Sequence, residues 1–115
     1  MGKLEKYRQI IQDVLTEYGS HKIAGTEKAE EFETQLIFDT THDHYQILHV
    51  GWKHYDRTFG APIHIDIKGE KVWIQQNLTD YDFIADLMEQ GIPKEDIVLG
   101  FQAPYKRQYT EFAAA

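Results

Sequence analysis

No cysteine occurs in the 115 residues, which excludes a disulfide framework, a thiolate metal site and a thiol nucleophile, and suits a reducing cytosol. Ser20 is the lone serine. It lies outside any Gly-x-Ser-x-Gly elbow, so serine-hydrolase chemistry of that type has no support. The glycines are scattered and none opens a helix in a Gly-x-Gly-x-x-Gly pattern, which removes the standard phosphate-binding loops. Apolar runs reach only a few residues, far short of the ~20 that a membrane helix needs. Lys3, Glu5, Lys6 and Arg8 interrupt any signal-peptide core. A soluble, cytoplasmic protein of one domain spanning residues 1–115 is expected.

Basic charge is also scarce. The formal net charge is −7, whereas nucleic-acid binding is driven largely by Lys and Arg neutralising phosphates. Lys106-Arg107 is the only adjacent Lys/Arg pair. Two charges make a weak patch, and a solvated basic turn is the simpler reading, so direct nucleic-acid binding is not expected.

What is present is alternation. Ile63, Ile65 and Ile67 alternate with His64 and Asp66, the period-2 pattern of a strand with one buried face. Lys68-Gly69-Glu70 breaks the run and Val72-Trp73-Ile74 resumes it, which predicts a hairpin with Gly69 supplying the turn dihedral. Upstream, Leu48, Val50 and Trp52 alternate with Ile47, His49 and Gly51 in a strand over 45–52. A first strand is expected from Thr34 to Phe38, with turns over 40–44 and 54–58. Pro62 lacks an amide donor and belongs near a strand end, at an edge or at a bulge.

The flanks read as helices. Leu4, Tyr7, Ile11, Val14, Leu15 and Tyr18 recur at three- and four-residue steps, with Ile10 widening the stripe, and Gly19 is the expected stop. Residues 20–33 read as a surface connection, with a helical turn over 27–31. Thr79-x-x-Asp82 resembles a capping box ahead of Phe83, Ile84, Leu87 and Met88, and Gly91 closes that helix. Pro93 starts a further helical turn. Ile97-Val98-Leu99 is a strand or a buried extended segment, and the spacing of Tyr105, Tyr109 and Phe112 suits a docked helical turn or a segment that meets a partner. The fold class is α+β: an antiparallel β-meander of about four strands, with an N-terminal and a later helix packed on one face.

The chemistry-bearing candidates are histidines. His42 and His44 flank Asp43 in a turn, His49 lies on a strand, His54 is in the next turn, and His64 and Asp66 share a strand face; imidazole and carboxylate in such a set can ligate zinc or another divalent ion. No diagnostic spacing accompanies them, so ordinary cross-strand hydrogen bonding is the simpler reading. Asp66-Ile67-Lys68 faintly resembles the Asp/Glu-x-Lys end of metal-dependent nuclease sites, with Asp39 or Asp43 as the second carboxylate. A small metal-dependent nuclease or hydrolase using His64 and Asp66 is therefore the alternative function.

Taken together, several segments carry a resemblance over nearly the whole chain. They are 4–11 (LEKYRQII), 33–39 (ETQLIFD), 43–46 (DHYQ) with Gly51-Trp52, 63–68 (IHIDIK), 71–75 (KVWIQ), 91–101 (GIPKEDIVLGF), 104–107 (PYKR) and 109–112 (YTEF). In combination the chain resembles the cyanobacterial fdxN element excision controlling factor family, XisI. The resemblance implies a small α+β protein with a part in site-specific excision of a DNA element during heterocyst development, alongside a recombinase and a companion protein, XisH. It brings no catalytic residue set and no cofactor. The expectation is a non-enzymatic accessory factor that binds an XisH-like companion and self-associates as a homodimer. Tyr45, Trp73, Tyr105, Lys106, Arg107, Tyr109 and Phe112 are the candidate partner-binding residues, since aromatic and Arg anchors dominate interfaces.

Overall fold

A computed structural model describes residues 2–24 and 30–115, with side chains over 2–20 and 33–115. Helix α1 (Lys3–Ala24) leads into strands β1 (Glu30–Asp39), β2 (His44–Lys53), β3 (Asp56–Lys68) and β4 (Lys71–Asn77). Helix α2 (Phe83–Gln90), a 3₁₀ turn (Lys94–Asp96), β5 (Ile97–Leu99) and the short α3 (Pro104–Arg107) complete the chain. The strands lie in sequence order in one sheet. Four form the expected antiparallel meander; β5 adds to β4 in parallel, so the sheet has five strands and is mixed. Among the described residues no helix is long and apolar enough to cross a membrane.

The apolar stripe of α1 buries Tyr7, Ile10, Ile11, Val14 and Leu15 against one face of the sheet. That face presents Tyr45 and Ile47 from β2, Ile63, Ile65 and Ile67 from β3, and Val72 and Ile74 from β4. Phe83 and Leu87 of α2 close the same core. Rings of Tyr18, Tyr81 and Phe83 meet with centroids 4.8–5.2 Å apart, which joins α1 to the entry of α2.

On β2 the structure settles a sidedness that the alternation leaves open. Tyr45 and Ile47 face the helices, while Leu48, Val50 and Trp52 share the opposite face with Gln46 through the β1–β2 register. Both faces of β2 are partly apolar, so alternation alone cannot say which one meets α1.

Gly19 does not end α1, which continues to Ala24. A Cβ on Gly19 would sit 2.9 Å from Leu36 Cδ2, so glycine leaves room for the Leu36 side chain against the helix. Gly91 does close α2: at φ 123° its amide donates to the carbonyls of Leu87 and Met88. The capping box is replaced by two separate devices. Asp82 is itself the N-cap and accepts from the Ala85 amide at 3.0 Å, while Thr79 Oγ1 accepts from the Tyr81 amide in the preceding turn. The helical turn expected over 27–31 lies partly outside the described residues; Glu30 and Glu31 open β1.

The hairpin turns follow the sequence more closely. Gly69 and Glu70 both adopt left-handed dihedrals, φ 59° and 61°, between the paired Lys68 and Lys71, the conformation a two-residue hairpin favours. Pro62 sits where the β2–β3 register slips between Ile47 and His49, so its missing amide breaks no regular ladder.

Two carboxylates tie α1 to the sheet side of the molecule. Asp43, in the β1–β2 turn, accepts from Arg8 Nε at 2.7 Å and Nη2 at 3.1 Å. Asp96 accepts from the Tyr7 hydroxyl and pairs with Lys3 at 3.0 Å. The Arg8 hydrogen bonds hold the Asp43 carboxyl below its ordinary range. Burial acts to raise Asp96, but the bonds from Tyr7 and Lys3 outweigh it and hold that group low as well. Because the folded values lie below the unfolded one, this stability is complete above the ordinary value of 3.8 and is lost as pH falls through the folded values. Urea midpoints measured from neutral to acid pH are expected to hold level and then drop below that value. Asp43→Asn is expected to flatten the drop.

Candidate functional site

The face of the sheet away from α1 is where the polar members of each alternation collect. Strand register sets the rows. Asp39 pairs with His44, His44 with Asp66 and Asp66 with Trp73, so these four lie side by side across β1 to β4. In the adjacent row Ile37 pairs with Gln46, Gln46 with His64 and His64 with Gln76.

His44, His64 and Asp66 converge in the middle. Nδ1 of His44 donates to Asp66 Oδ1 at 2.8 Å, and Nε2 of His64 donates to the same oxygen at 2.7 Å. Gln46 supports His64 through Nε2 to Nδ1 at 2.7 Å. Gln75 supports Asp66 by donating to Oδ2 at 3.1 Å. Gln75 reaches in because the β3–β4 register slips between His64 and Ile65, leaving it as the extra residue of a bulge, a device that re-aims side chains. Burial acts to raise the Asp66 carboxyl, yet the hydrogen bonds from the two histidines leave it below the usual range, and the bond to Asp66 raises the His44 imidazole. The donor atoms of the three side chains all lie within 4.8 Å of one another.

Within the sequence only His64 and Asp66 share a face, and His44 reads as a turn residue among the other histidines. The missing link was register: twenty-two residues separate His44 from Asp66, and no local pattern encodes that pairing. Neither proposed second carboxylate joins Asp66. Asp39 is hydrogen-bonded to His42 at 2.8 Å, and Asp43 is held by Arg8. Lys68, the third member of the nuclease-like triplet, lies 4.1 Å from the Trp73 ring centre.

The candidate partner residues separate into three groups. Tyr45 is 0 % exposed and belongs to the core, where its hydroxyl donates to Asp43 at 2.9 Å; a solvent-facing anchor at this position is ruled out by that burial. Trp73 is half-buried and Phe112 packs against the core. Tyr105 and Tyr109 are 67 % and 81 % exposed. Lys106 is exposed beside Tyr105, whereas Arg107 turns inward. Its guanidinium lies 5.0 Å from the Trp73 ring and donates to the carbonyls of Gln102 and Gly100.

Arg107 therefore fastens the C-terminal segment onto the sheet, helped by a bridge between Ala113 and Val98. Trp73→Ala removes the surface on which Arg107 rests. It is expected to cost about 0.5–2 kcal/mol in cation–π contact and to speed protease cleavage within 104–112, read by mass spectrometry of timed digests.

On the same face Trp52 and Phe59 are exposed at the far end and Ile37 is exposed beside Gln46, with Leu48 and Val50 half-buried between them. This apolar group was not singled out from sequence as a surface, because its members had the pattern of a core strand.

A family model described as XisI protein matches residues 1–114. The fold is similar to the crystal structure of a XisI-like protein from Anabaena variabilis ATCC 29413. That chain is 46% identical with a TM-score of 0.89, the match covering 97% of this chain and 99% of the other. It is also similar to the fdxN element excision controlling factor XisI from the same organism, at 32% identity and a TM-score of 0.83, covering 99% and 100%. No curated protein matches the chain.

Proposed function

The chain belongs to the XisI family, and from that premise we propose that it is a non-enzymatic controlling factor for excision of a DNA element, acting in the cytoplasm through an XisH-like companion protein. The observation that carries this reading is the chain-length similarity to the excision controlling factor of Anabaena variabilis. A route through protein rather than DNA is supported by the net charge of −7 and by the engagement of Arg107 with the Gln102 and Gly100 carbonyls.

The companion docks on the C-terminal rim, where Tyr105 and Tyr109 offer aromatic anchors beside Lys106. A homodimer forms through the outer sheet face, with Ile37, Trp52 and Phe59 at its apolar centre. Phe59→Glu would convert the dimer to a species of single-chain mass, 13.5 kDa.

The test is co-expression with the companion encoded in the same genome, followed by affinity capture of one partner and detection of the other. Binding to duplex DNA is titrated alongside. Affinity for DNA that falls steeply with salt and is lost in Lys106→Glu/Arg107→Glu would replace the protein route with a phosphate-contact route. Metal-dependent hydrolysis at His64 and Asp66 is the second reading, favoured by the arrival of His44 at the pair. Its mark is divalent-metal-dependent cleavage of DNA that disappears in Asp66→Asn while the fold persists.

A further inference from the structure

The geometry points to a mononuclear binding site for a divalent first-row transition ion of the zinc type, held by His44 Nδ1, His64 Nε2 and Asp66 Oδ1 on the outer face of the sheet. This goes beyond the excision-control reading and does not depend on it.

Three features carry the assignment. First, the three donor atoms aim at one point: both imidazole nitrogens lie 2.7–2.8 Å from the same carboxylate oxygen, and all three are mutually within 4.8 Å. Nitrogen and oxygen ligands about 2.0–2.2 Å from a tetrahedral zinc stand roughly 3.3–3.5 Å apart. Opening the two present hydrogen bonds by about half an ångström, and bringing the two imidazole nitrogens, now within 4.8 Å, to the same spacing by side-chain rotation, would admit the ion. It would take the place of the two hydrogen-bonding protons that the imidazoles now direct at Asp66, each neutral ring then carrying its proton on its other nitrogen.

Second, an outer layer is already built. Gln75 holds Oδ2 of Asp66 and leaves Oδ1 for the ion. Gln46 sits 2.7 Å from Nδ1 of His64. With its amide turned so that the oxygen faces the ring, Gln46 would accept the Nδ1 proton and leave the Nε2 lone pair for the metal, the arrangement that metal-bound histidines adopt.

Third, the donor set selects the ion. Two imidazoles and one carboxylate suit zinc, cobalt or nickel rather than the all-oxygen preferences of calcium and magnesium. Three protein ligands leave a fourth tetrahedral position. His44 is exposed, with 56 % of its side chain accessible, so that position faces solvent and takes water or a donor from a docked protein.

The test uses the full chain, stripped with chelator and dialysed. Zn²⁺ is titrated against a chromophoric competitor, and Co²⁺ is titrated with its visible absorption recorded. One ion per chain is expected, with the intense Co²⁺ bands of a four-coordinate site. His44→Ala and His64→Ala are each expected to weaken binding on the order of 100-fold, and Gln46→Ala roughly tenfold. His42→Ala, in the neighbouring turn, should leave affinity unchanged and so separates this site from chance binding by surface histidines. Circular dichroism checks the fold of each variant. Absence of stoichiometric Zn²⁺ or Co²⁺ on the unsubstituted chain overturns the assignment, as does binding that survives in His44→Ala/His64→Ala.

Discussion

Tyr45→Ala is expected to destabilise the chain by about 3–5 kcal/mol, the range for removing a buried aromatic ring. Small domains have only about 5–15 kcal/mol in total, so this substitution should bring the chain close to unfolding. The ring is fully buried on the sheet face that meets α1, with the Phe38 ring 5.8 Å away, centre to centre. Its hydroxyl completes the set around Asp43, which also accepts both donors of Arg8. Tyr45→Phe keeps the ring and removes one hydrogen bond to a carboxylate that is mostly shielded from water, for an expected loss of about 1–3 kcal/mol. Urea denaturation of the three proteins measures both steps. A Tyr45→Phe chain of unchanged stability that no longer binds the companion would restore Tyr45 as a surface anchor and contradict the burial described above.

The opposite pattern is expected at the C-terminal rim. Tyr105→Ala and Tyr109→Ala should leave stability within about 0.5 kcal/mol, because both rings are largely in water. Each should weaken capture of the companion by about 2 kcal/mol or more, roughly 30-fold in Kd, as aromatic anchors at interface centres do. Calorimetric titration of the companion into each variant gives the number directly. Lys106→Ala beside them should act mostly on the association rate and its salt dependence, since a rim charge steers more than it holds. Unchanged affinity in both tyrosine variants would move the docking surface elsewhere on the molecule.

Local rules served well where local physics decides the outcome. The stripe from Leu4 to Tyr18 sufficed for α1, and Gly69 sufficed for the β3–β4 turn, because helix period and turn dihedrals are written in adjacent residues. They failed where distant chain decides. Gly19 has the look of a helix stop, but Leu36 occupies the space a Cβ would need, and the helix runs on. Ile97, Val98 and Leu99 are all buried, so a three-residue strand offers no alternation to read; pairing with β4 and cover from the C-terminal segment account for it.

Sidedness was the subtler loss. Leu48, Val50 and Trp52 alternate as well as any core strand, yet they line the outer face because Tyr45 and Ile47 fill the inner one. The same register put His44 beside Asp66. His64 and Asp66 were legible as a pair because two residues of one strand share a face wherever that strand goes. The third member depended on which residue of β2 lies opposite, and on a bulge that delivers Gln75. The outer face thus became visible as a site only when strand pairing was known.

The proposal that this XisI-family chain acts through a bound protein predicts a complex in solution. Its most direct test is multi-angle light scattering of the chain mixed with its XisH-like companion at micromolar concentration, after each has been measured alone. A single species of defined stoichiometry is expected, heavier than either partner and reduced in amount by Tyr105→Ala/Tyr109→Ala. Two peaks that keep the masses of the separate proteins at every mixing ratio would contradict it.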